Sequence, residues 1–364
     1  MTPARPGRPD PTRWRARFGG RALLALSLVC STACDDARSR APTTSAPART
    51  VVVFTAHDRV YSEPILREFQ RTTGIRVDPV YDAEAAKTTG LINRLLARRD
   101  DPECDVLWNN EVVQTEALAQ AGVLEPYASP VAEKRIPPRF RDPRSRWTGF
   151  AGRARVLVYN TEKFEGATPP ASLAAFTDPA LRGRGVIALP YYGTTFTHVG
   201  VLHQRWGADR VRQWLDDAKR NDTAFAPGNG AACDLVASGE RWFGLTDTDD
   251  ARGAILEGKP IGVAIPDAAE TGALLIPNTV ALIRGAQRAE EGKRLIDYLL
   301  SADVERRLAE MPSAQVPLGT DLADVQTPWD ALLEAHPPAD LPVVAIAHAR
   351  RELIELLRGL GLGQ

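Results

Sequence analysis

The sequence predicts an α/β protein with two doubly wound lobes, each built from parallel strands that alternate with helices. Short apolar runs separated by amphipathic helical segments predict this alternation. About 310 residues follow the N-terminal region, which is more than one hydrophobic core commonly supports, and this length predicts two lobes. Because ligands of such sheets bind at the carboxyl ends of strands, we expect the functional residues in the loops there.

The N-terminal 34 residues predict an export signal. Six arginines and one aspartate lie within residues 1–21, and the apolar run from Ala22 to Ala33 follows directly. That run is too short to span a membrane as a mature helix. The sequence Ser31-Thr32-Ala33-Cys34 resembles a bacterial lipobox, which implies a lipid on Cys34 and a lipoprotein signal peptide at 1–34. Two alternatives stay open: Cys30 offers a rival cleavage site, and cleavage after Ala33 would give simple secretion.

Residues 35–50 predict a flexible tether, because they carry Ser, Thr, Pro, Ala and charged side chains but no large apolar one. Removal of residues 1–34 takes away six arginines and one aspartate, so 39 basic and 45 acidic residues remain. The net charge of about −6 is not the basic balance that is typical of nucleic-acid-binding proteins. Cys104 and Cys233 are too few for a disulfide scaffold, and we expect two free buried thiols.

Three apolar strand patterns predict the start of the first lobe. A run at 51–54 is ended by Thr55-Ala56-His57-Asp58, and the helical spacing that follows it ends at Gly74. The next elements in order are a strand at 75–81, an amphipathic helix at 88–99 and a strand at 104–108. The candidate ligand loops are therefore residues 55–63, 81–87 and 108–111.

The same alternation continues to the end of the chain. Strands are predicted at 152–160, 186–190, 243–246 and 274–283, and helices after Gly193, at 231–237, from Ala251, at 289–300 and near 346–360. The run at 274–283 is long enough to cross between two lobes. We find no nucleophile with its base and no His-Glu-x-x-His pattern, so the sequence predicts a binding protein rather than an enzyme.

Six segments resemble periplasmic ferric-iron-binding proteins of ABC transporters, in that family's order and across residues 51–320. They are VVVFTAHDRVYSEPILREFQRTTGIRV, DVLWNNEVVQTEALAQAGVL, GRARVLVYNTEKF, PYYGTTFTH, GLTDTDDARGA and LLIPNTVALIRGA. The resemblance implies a type II periplasmic-binding-protein fold, with two α/β lobes joined by two crossing strands at 153–160 and 274–283. We place lobe 1 at 51–150 and 279–364, and lobe 2 at 151–278.

The resemblance also implies a metal site. Family members hold ferric iron with a histidine in the first loop, a glutamate after the third strand and two adjacent tyrosines in the second lobe. Glu111 matches the glutamate, and His57 or Asp58 matches the histidine. The tyrosine pair is absent, and Asp249 and Asp250 stand in its place.

Asp247 lies just ahead of that pair and completes an oxygen-rich set that suits a hard cation. We expect Glu111, Asp249 and Asp250 to converge on it. The alternative is a solvated acidic turn in which Asp249 or Asp250 caps the helix beginning at Ala251.

An anion site is predicted where two helices begin. Thr194 and Thr195 follow a strand and start one helix, and Asn229 and Gly230 start another, so amides and hydroxyls gather at positive helix ends. Arg153 or Arg155 would add positive charge. The alternative is ordinary N-capping at each helix.

Aromatic residues on the candidate loops complete the predicted cleft. Trp108, Tyr81 and Tyr192 are expected to line it, with Tyr192 or Tyr81 in place of a missing phenolate; the alternative for each is packing within a lobe.

Together these features predict a substrate-binding lipoprotein of an ABC importer that captures ferric iron or another hard metal ion between its lobes. A synergistic anion would complete the site, and no catalytic cofactor is expected. The predicted protein is a monomer, lies in the periplasm or on the outer face of the cell membrane, and meets its permease there. The alternative ligand is a small organic molecule or oxyanion, such as a phosphonate or a carboxylate.

Overall fold

The computed structural model describes residues 49–82 and 89–362. The predicted signal peptide at 1–34, its Cys34 and residues 35–48 of the predicted tether lie outside these ranges, as do residues 83–87 of one candidate ligand loop. In the described part of the chain, no helix is long and apolar enough to cross a membrane.

Ten strands form the described sheet. They are β1 (Thr50–Thr55), β2 (Arg76–Tyr81), β3 (Val106–Asn109), β4 (Leu124–Glu125), β5 (Thr148–Asn160), β6 (Gly185–Ala188), β7 (Ala224–Ala226), β8 (Phe243–Asp247), β9 (Ile261–Ala264) and β10 (Leu275–Ile283). Their order is β2-β1-β3-β10-β5-β8-β6-β7, with β4 beside β10 and β9 beside β5. The predicted strands are therefore confirmed, with bounds shifted by a few residues.

Thirteen α-helices cover the sheet within the described ranges. They are α1 (Arg59–Thr73), α2 (Thr89–Ala97), α3 (Val112–Gln120), α4 (Pro130–Arg135), α5 (Gly193–Trp206), α6 (Ala208–Arg220), α7 (Asn229–Ala237), α8 (Thr248–Leu256), α9 (Ala268–Thr271), α10 (Ala289–Leu299), α11 (Ala302–Glu310), α12 (Asp330–Ala335) and α13 (Val343–Gly359). Short 3₁₀ helices lie at Pro138–Phe140, Leu173–Thr177 and Pro179–Leu181. Helix α8 begins at Thr248 rather than at Ala251 as predicted.

Two groups of parallel strands give the two lobes. In one, β1 pairs in parallel with β2 and β3; in the other, β6 pairs in parallel with β7 and β8. The long strands β5 and β10 run antiparallel to each other between the groups, with β10 paired to β3 of the first group and β5 paired to β8 of the second. The predicted fold, two α/β lobes joined by two crossing strands, is confirmed. The residue limits given for each lobe stay predictions.

The local sequence explains why these elements form. Helix α1 buries Ile65 and Phe69 on one face and ends at Gly74, whose φ of 71° terminates it in the left-handed conformation. All nine residues of β10 are buried, which accounts for its continuous apolar run. Cys104 and Cys233 are free and buried, as predicted.

The backbones of the two crossing strands are both irregular where Pro277 and Asn278 face Ala151. The register of β5 against β10 shifts between Pro277 and Asn278, and Ala151 on the facing strand has a φ of 42°. A bulge re-aims the side chains beside it, and a left-handed non-glycine residue is strained. The crossing therefore turns the side chain of Asn278 inward, toward the junction of the lobes.

Candidate functional site

A cavity of about 450 Å³ lies where the carboxyl ends of the strands meet. Lobe 1 contributes His57, Asp58 and Asn110, and the crossing strand β5 contributes Arg153. Lobe 2 contributes the loops and helix starts at 188–195, 227–231 and 247–250. This is the edge of the sheet at which the sequence predicted ligand contacts.

Three aspartates form the acidic side of the cavity. One oxygen atom from each of Asp247, Asp249 and Asp250 can be chosen so that all three lie within 4.8 Å of one another. Asp247 is the residue before α8, and it makes no side-chain cap. Asp249 and Asp250 lie in the first turn of that helix, and the Asp250 amide donates to Asp249 Oδ1 at 3.1 Å. The alternative of an aspartate that caps a helix beginning at Ala251 is therefore wrong.

The three carboxylates differ in how their charge is compensated. Asp247 accepts from Arg155 Nη1 at 2.7 Å, from the Thr194 hydroxyl at 2.6 Å and from Asn229 Nδ2 at 3.0 Å. Asp250 accepts only from the Thr246 hydroxyl at 2.8 Å, and no described basic residue forms an ion pair with it. Asp247 is thus saturated, whereas Asp250 has one hydroxyl donor and no ion-pair partner among the described residues.

Burial and mutual repulsion disfavour the charged forms of the other two carboxylates. Burial, and then Asp247 and Asp58, raise the pKa of Asp249 to about 6, although Arg153 opposes the shift. Burial, followed by the charges of Asp249 and Asp247, raises the pKa of Asp250 well above its ordinary value. The positive charge of Arg153 is therefore not enough to compensate the desolvation and the mutual repulsion of these carboxylates.

Two buried arginines face this cluster differently. Arg155 is fully buried and donates to Thr194 and Thr195 as well as to Asp247. It lies behind the cavity wall, so the predicted anion contact is not available to it. Arg153 lies in the wall, with its Nε 3.6 Å from Asp247 and 3.8 Å from Asp249.

Helix N-termini form the third side of the cavity. Helices α5, α7 and α8 all begin there, and none has a side-chain cap. Thr194, Thr195, Asn229 and Gly230 all line the cavity at these helix starts. Because first-turn amides without caps are available to an anion, the arrangement fits the predicted anion site, and the ordinary N-capping alternative is wrong for α5 and α7.

Glu111 does not join the aspartates. Its fully buried carboxylate caps α3, accepting from the Val113 amide at 2.6 Å and the Gln114 amide at 2.7 Å, and it also accepts from the Thr197 hydroxyl. Burial raises the pKa of Glu111, and these donors oppose the shift. Among the residues that the structure describes, the clustered ligand group contains the three aspartates alone. The predicted convergence of Glu111 with Asp249 and Asp250 is therefore wrong in this structure.

His57 lines the cavity but its ring is already engaged. It stacks on Trp108 with ring centroids 5.1 Å apart, and its Nε2 lies 3.2 Å from Gln315 Nε2. Gln315 Oε1 accepts from Asn278 at 2.8 Å, so its amide nitrogen faces the histidine and Nε2 of His57 acts as the acceptor. That bond competes with the coordination predicted for His57. Asp58, also predicted as a ligand, borders both this cavity and a smaller acidic one beside Tyr61.

Of the aromatic residues predicted to line the cleft, Tyr192 alone borders the cavity, and its hydroxyl donates to the Pro227 carbonyl at 2.6 Å. Trp108 is fully buried beneath His57 and packs against Phe150. Tyr81 lies at the end of β2 under the Arg59 guanidinium. The packing alternative therefore describes Trp108 and Tyr81.

Sequence reasoning missed Asn278 and Gln315, which hold His57 and Arg153 from behind. Asn278 Oδ1 accepts from Arg153 Nη1 at 3.1 Å. The available signal was an asparagine in the middle of an apolar strand, where such a residue needs a hydrogen-bond partner.

Comparison with known proteins identifies the family. The protein-family model described as "bacterial extracellular solute-binding protein" matches residues 65–335 of this chain. The chain belongs to this family. It is a family of solute-binding proteins rather than of enzymes.

Two curated relatives carry iron in their names. Iron uptake protein A1 of Synechocystis sp. is 26% identical over 257 residues, which cover 67% of this chain and 69% of the relative. The major ferric iron-binding protein of Neisseria meningitidis is 24% identical over 273 residues, or 74% of this chain and 80% of the relative. The resemblance inferred from the sequence is confirmed.

Solved structures show the same fold. Iron-bound HitA from Pseudomonas aeruginosa is 21% identical, with a TM-score of 0.75 over 86% of this solute-binding protein and 100% of that chain. AfuA from Actinobacillus pleuropneumoniae, solved with exogenous fructose-6-phosphate, is 20% identical, with a TM-score of 0.74 over 85% of this chain and 97% of that chain. The fold therefore accommodates ligands as different as a metal ion and a sugar phosphate.

Proposed function

We propose that this solute-binding protein captures a hard metal cation in the cavity between its lobes. The observation that carries the proposal is the partly buried Asp249 and Asp250 pair beside the buried Asp247, in which no described basic residue pairs with Asp250. Buried carboxylates that lack a counter-ion are costly, and a cation between them removes the cost. Carboxylate oxygen is the ligand that Mg, Ca, Mn and ferric ions prefer.

An anion accompanies the cation in this proposal. The uncapped starts of α5 and α7 and the guanidinium of Arg153 line the same cavity beside the aspartates and offer positive potential. An anion bound there would supply the oxygen atoms that three aspartates cannot, since hard cations take six or more ligands. Ferric iron is the first candidate because of the named relatives, and Mn²⁺ is the second.

The cellular role is proposed on the same basis. We infer an ABC importer whose permease recognises the closed, ligand-bound lobes, and a chain held at the outer face of the membrane by a lipid on Cys34. Ligand contacts from both lobes stabilise the closed state, which gives the permease a conformation to select. The N-terminal pattern of arginines, apolar run and Cys34 supports the anchor.

Thermal unfolding of the metal-stripped mature protein tests the ligand assignment, because a ligand that binds only the folded state must raise stability. Ferric nitrilotriacetate, Mn²⁺ and Ca²⁺ are added separately. We expect a shift with at least one metal that is lost in Asp249→Ala and Asp250→Ala. Asp234→Ala is the matched control, since Asp234 is an exposed aspartate that borders the smaller cavity. A metal-induced shift that survives both cavity variants would refute the site.

A small zwitterion is the second candidate function. The cavity volume of about 450 Å³ exceeds the needs of one ion, and the cavity is lined both by carboxylates and by Arg153 with uncapped helix starts. An amine-bearing phosphonate has the matching pair of charges, with its ammonium at Asp249 and Asp250 and its phosphonate at α5 and α7. A thermal shift with 2-aminoethylphosphonate and none with the metals would select this candidate.

A further inference from the structure

A chain of four buried polar side chains connects His57 in lobe 1 to Arg153 on the crossing strand β5, and its two middle members lie behind the cavity lining. It runs from His57 to Gln315 at 3.2 Å, from Gln315 to Asn278 at 2.8 Å and from Asn278 to Arg153 at 3.1 Å. Each of the four is at most 3% exposed. Water therefore reaches none of these contacts freely, and each bond fixes the orientation of the next.

The amide of Asn278 has its orientation determined by its neighbours. Its Nδ2 donates to the Ala151 carbonyl and to Gln315 Oε1, so Oδ1 must face Arg153. The bulge at Pro277 and the left-handed Ala151 bring this side chain inward from an otherwise apolar strand. The bulged crossing of β5 and β10 therefore presents the neutral acceptor Asn278 Oδ1 to the buried Arg153.

Arg153 is held mainly by neutral groups. Its Nη1 donates to Asn278 and its Nη2 to the Asn110 carbonyl in lobe 1, whereas its Nε stays 3.6 Å and 3.8 Å from the carboxylates of Asp247 and Asp249. Arg155, by contrast, has its charge cancelled by Asp247 at 2.7 Å. The neutral acceptors fix the orientation of the guanidinium, and its carboxylate neighbours lie at longer range than the one that pairs with Arg155, so Arg153 is the arginine that can still contact an anion.

We propose that Asn278 and Gln315 are positioning residues that keep Arg153 oriented and charged for an anionic group of the ligand. Asn278 holds the guanidinium directly, and Gln315 fixes the amide of Asn278. The inference rests on the proposed capture of a ligand in this cavity. It goes further by assigning the anion affinity to a neutral hydrogen-bond relay behind the wall, rather than to the wall residues alone.

The variant Asn278→Asp tests this relay. It keeps the size of the side chain but places a carboxylate against Arg153 Nη1, so the guanidinium gains a buried counter-ion. We expect the Kd for inorganic phosphate, measured by calorimetry, to rise at least tenfold. We expect the Kd for Mn²⁺ to stay the same or fall, because the cavity gains a negative charge. Damage to the fold alone would weaken both ligands together, so opposite changes identify a positioning role.

Two further variants complete the test, one as a control and one as a substitute for Asn278→Asp. Asn160→Asp is the matched control, because Asn160 is a buried asparagine at the far end of β5 whose Nδ2 donates to the Val236 carbonyl. It is expected to leave both dissociation constants within twofold of wild type. Should Asn278→Asp fail to fold, Asn278→Ala removes the acceptor without adding charge, and we expect weaker phosphate binding with unchanged Mn²⁺ binding.

The outcomes separate the inference from the function on which it rests. Wild-type protein that binds Mn²⁺ and phosphate, with Asn278 variants that bind both equally well or lose both together, overturns the positioning role alone. Wild-type protein that binds Mn²⁺ but no phosphate also overturns the positioning role and leaves the metal site in place. Wild-type protein that binds neither probe overturns both proposals.

Discussion

Two charged pairs lie side by side in this cavity, and they are built in opposite ways. Arg155 and Asp247 neutralise each other at 2.7 Å, and hydroxyl and amide groups bind their other atoms except the buried Arg155 Nε. Asp249 and Asp250 disfavour each other's charged form, and among the described residues their one ion pair is that of Asp249 with Arg153 at 3.8 Å. A saturated pair has nothing left to offer a ligand, whereas the unsaturated pair has a deficit that a ligand corrects. The difference indicates which pair maintains the fold and which one binds.

The largest expected effect lies in the saturated pair. Replacing Arg155 by methionine leaves the Asp247 carboxylate buried without its counter-ion, which costs about 3–5 kcal/mol in the free energy of unfolding. Urea denaturation of the ligand-free protein measures it. Arg351→Met, in an exposed ion pair with Glu355, is the control and is expected to leave stability unchanged. Equal effects of the two variants would break the comparison.

The unsaturated pair should respond with the opposite sign. Asp250→Asn removes a carboxyl whose pKa is raised in the fold, a shift that costs stability at neutral pH, so the ligand-free protein is expected to unfold at a higher temperature than wild type. The same variant is expected to lose the stabilisation of about 2.7 kcal/mol that a ligand provides at 100 times its Kd. Differential scanning calorimetry with and without ferric nitrilotriacetate measures both. A ligand-free Asp250→Asn protein that is less stable than wild type would contradict the assignment.

A smaller effect is expected from Arg153, which lies between the two pairs. Lysine keeps the charge but loses the planar fork that reaches Asn278 and Asn110, so Arg153→Lys should weaken phosphate binding about tenfold, or ~1.4 kcal/mol. Calorimetric titration with inorganic phosphate measures this. Unchanged phosphate affinity would mean that charge alone, and not the orientation of the guanidinium, sets the anion site.

The narrowest effect is a pH dependence at His198, behind the start of α5. Burial, and then the charges of Arg155 and Arg205, lower the pKa of His198 well below its ordinary 6.5. The unfolded chain therefore binds a proton below pH 6.5 that the native state excludes, and stability falls as the pH falls through that range. Urea midpoints between pH 7 and 5 should decline less in His198→Gln than in wild type. His348→Gln, at an exposed position, is the control. If it reduced the decline of the urea midpoint as much as His198→Gln does, the assignment would be contradicted.

Most of the fold was predictable because its signals are local. Continuous apolar runs gave β1, β3 and β10, and apolar residues at helical spacing before Gly74 gave the end of α1. The start of α8 was predicted three residues late. Asp249 and Asp250 suggested a cap, but the helix takes them into its first turn and leaves Asp247 before it.

Site residues were predictable only where sequence position fixes them. Asp247, Asp249 and Asp250 are neighbours in the chain, so their clustering follows from a single turn of α8. Glu111 is different, because a carboxylate at a helix start serves equally well as a ligand and as a cap. The structure uses it as a cap. Glutamate is not among the preferred N-cap residues, so this cap had no signal in the sequence.

The relay behind Arg153 was out of reach for sequence reasoning. Asn278 and Gln315 are 37 positions apart and belong to different elements. Their contact depends on a bulge at Pro277 and on the backbone of Ala151, neither of which has a local signature in the sequence. A lone asparagine in an apolar strand indicates that a partner exists, but only the packed crossing shows that the partner is Arg153.

The most direct test of the central claim is anomalous diffraction from crystals grown with Mn²⁺ or with ferric nitrilotriacetate. We expect an anomalous peak in the cavity between the lobes, about 2.0–2.6 Å from carboxylate oxygens of both Asp249 and Asp250. The pair would then be the cation site that its unsatisfied charge predicts. Metal bound elsewhere, or a cavity that holds only an anion while Asp249 and Asp250 contact no ion, would contradict the account.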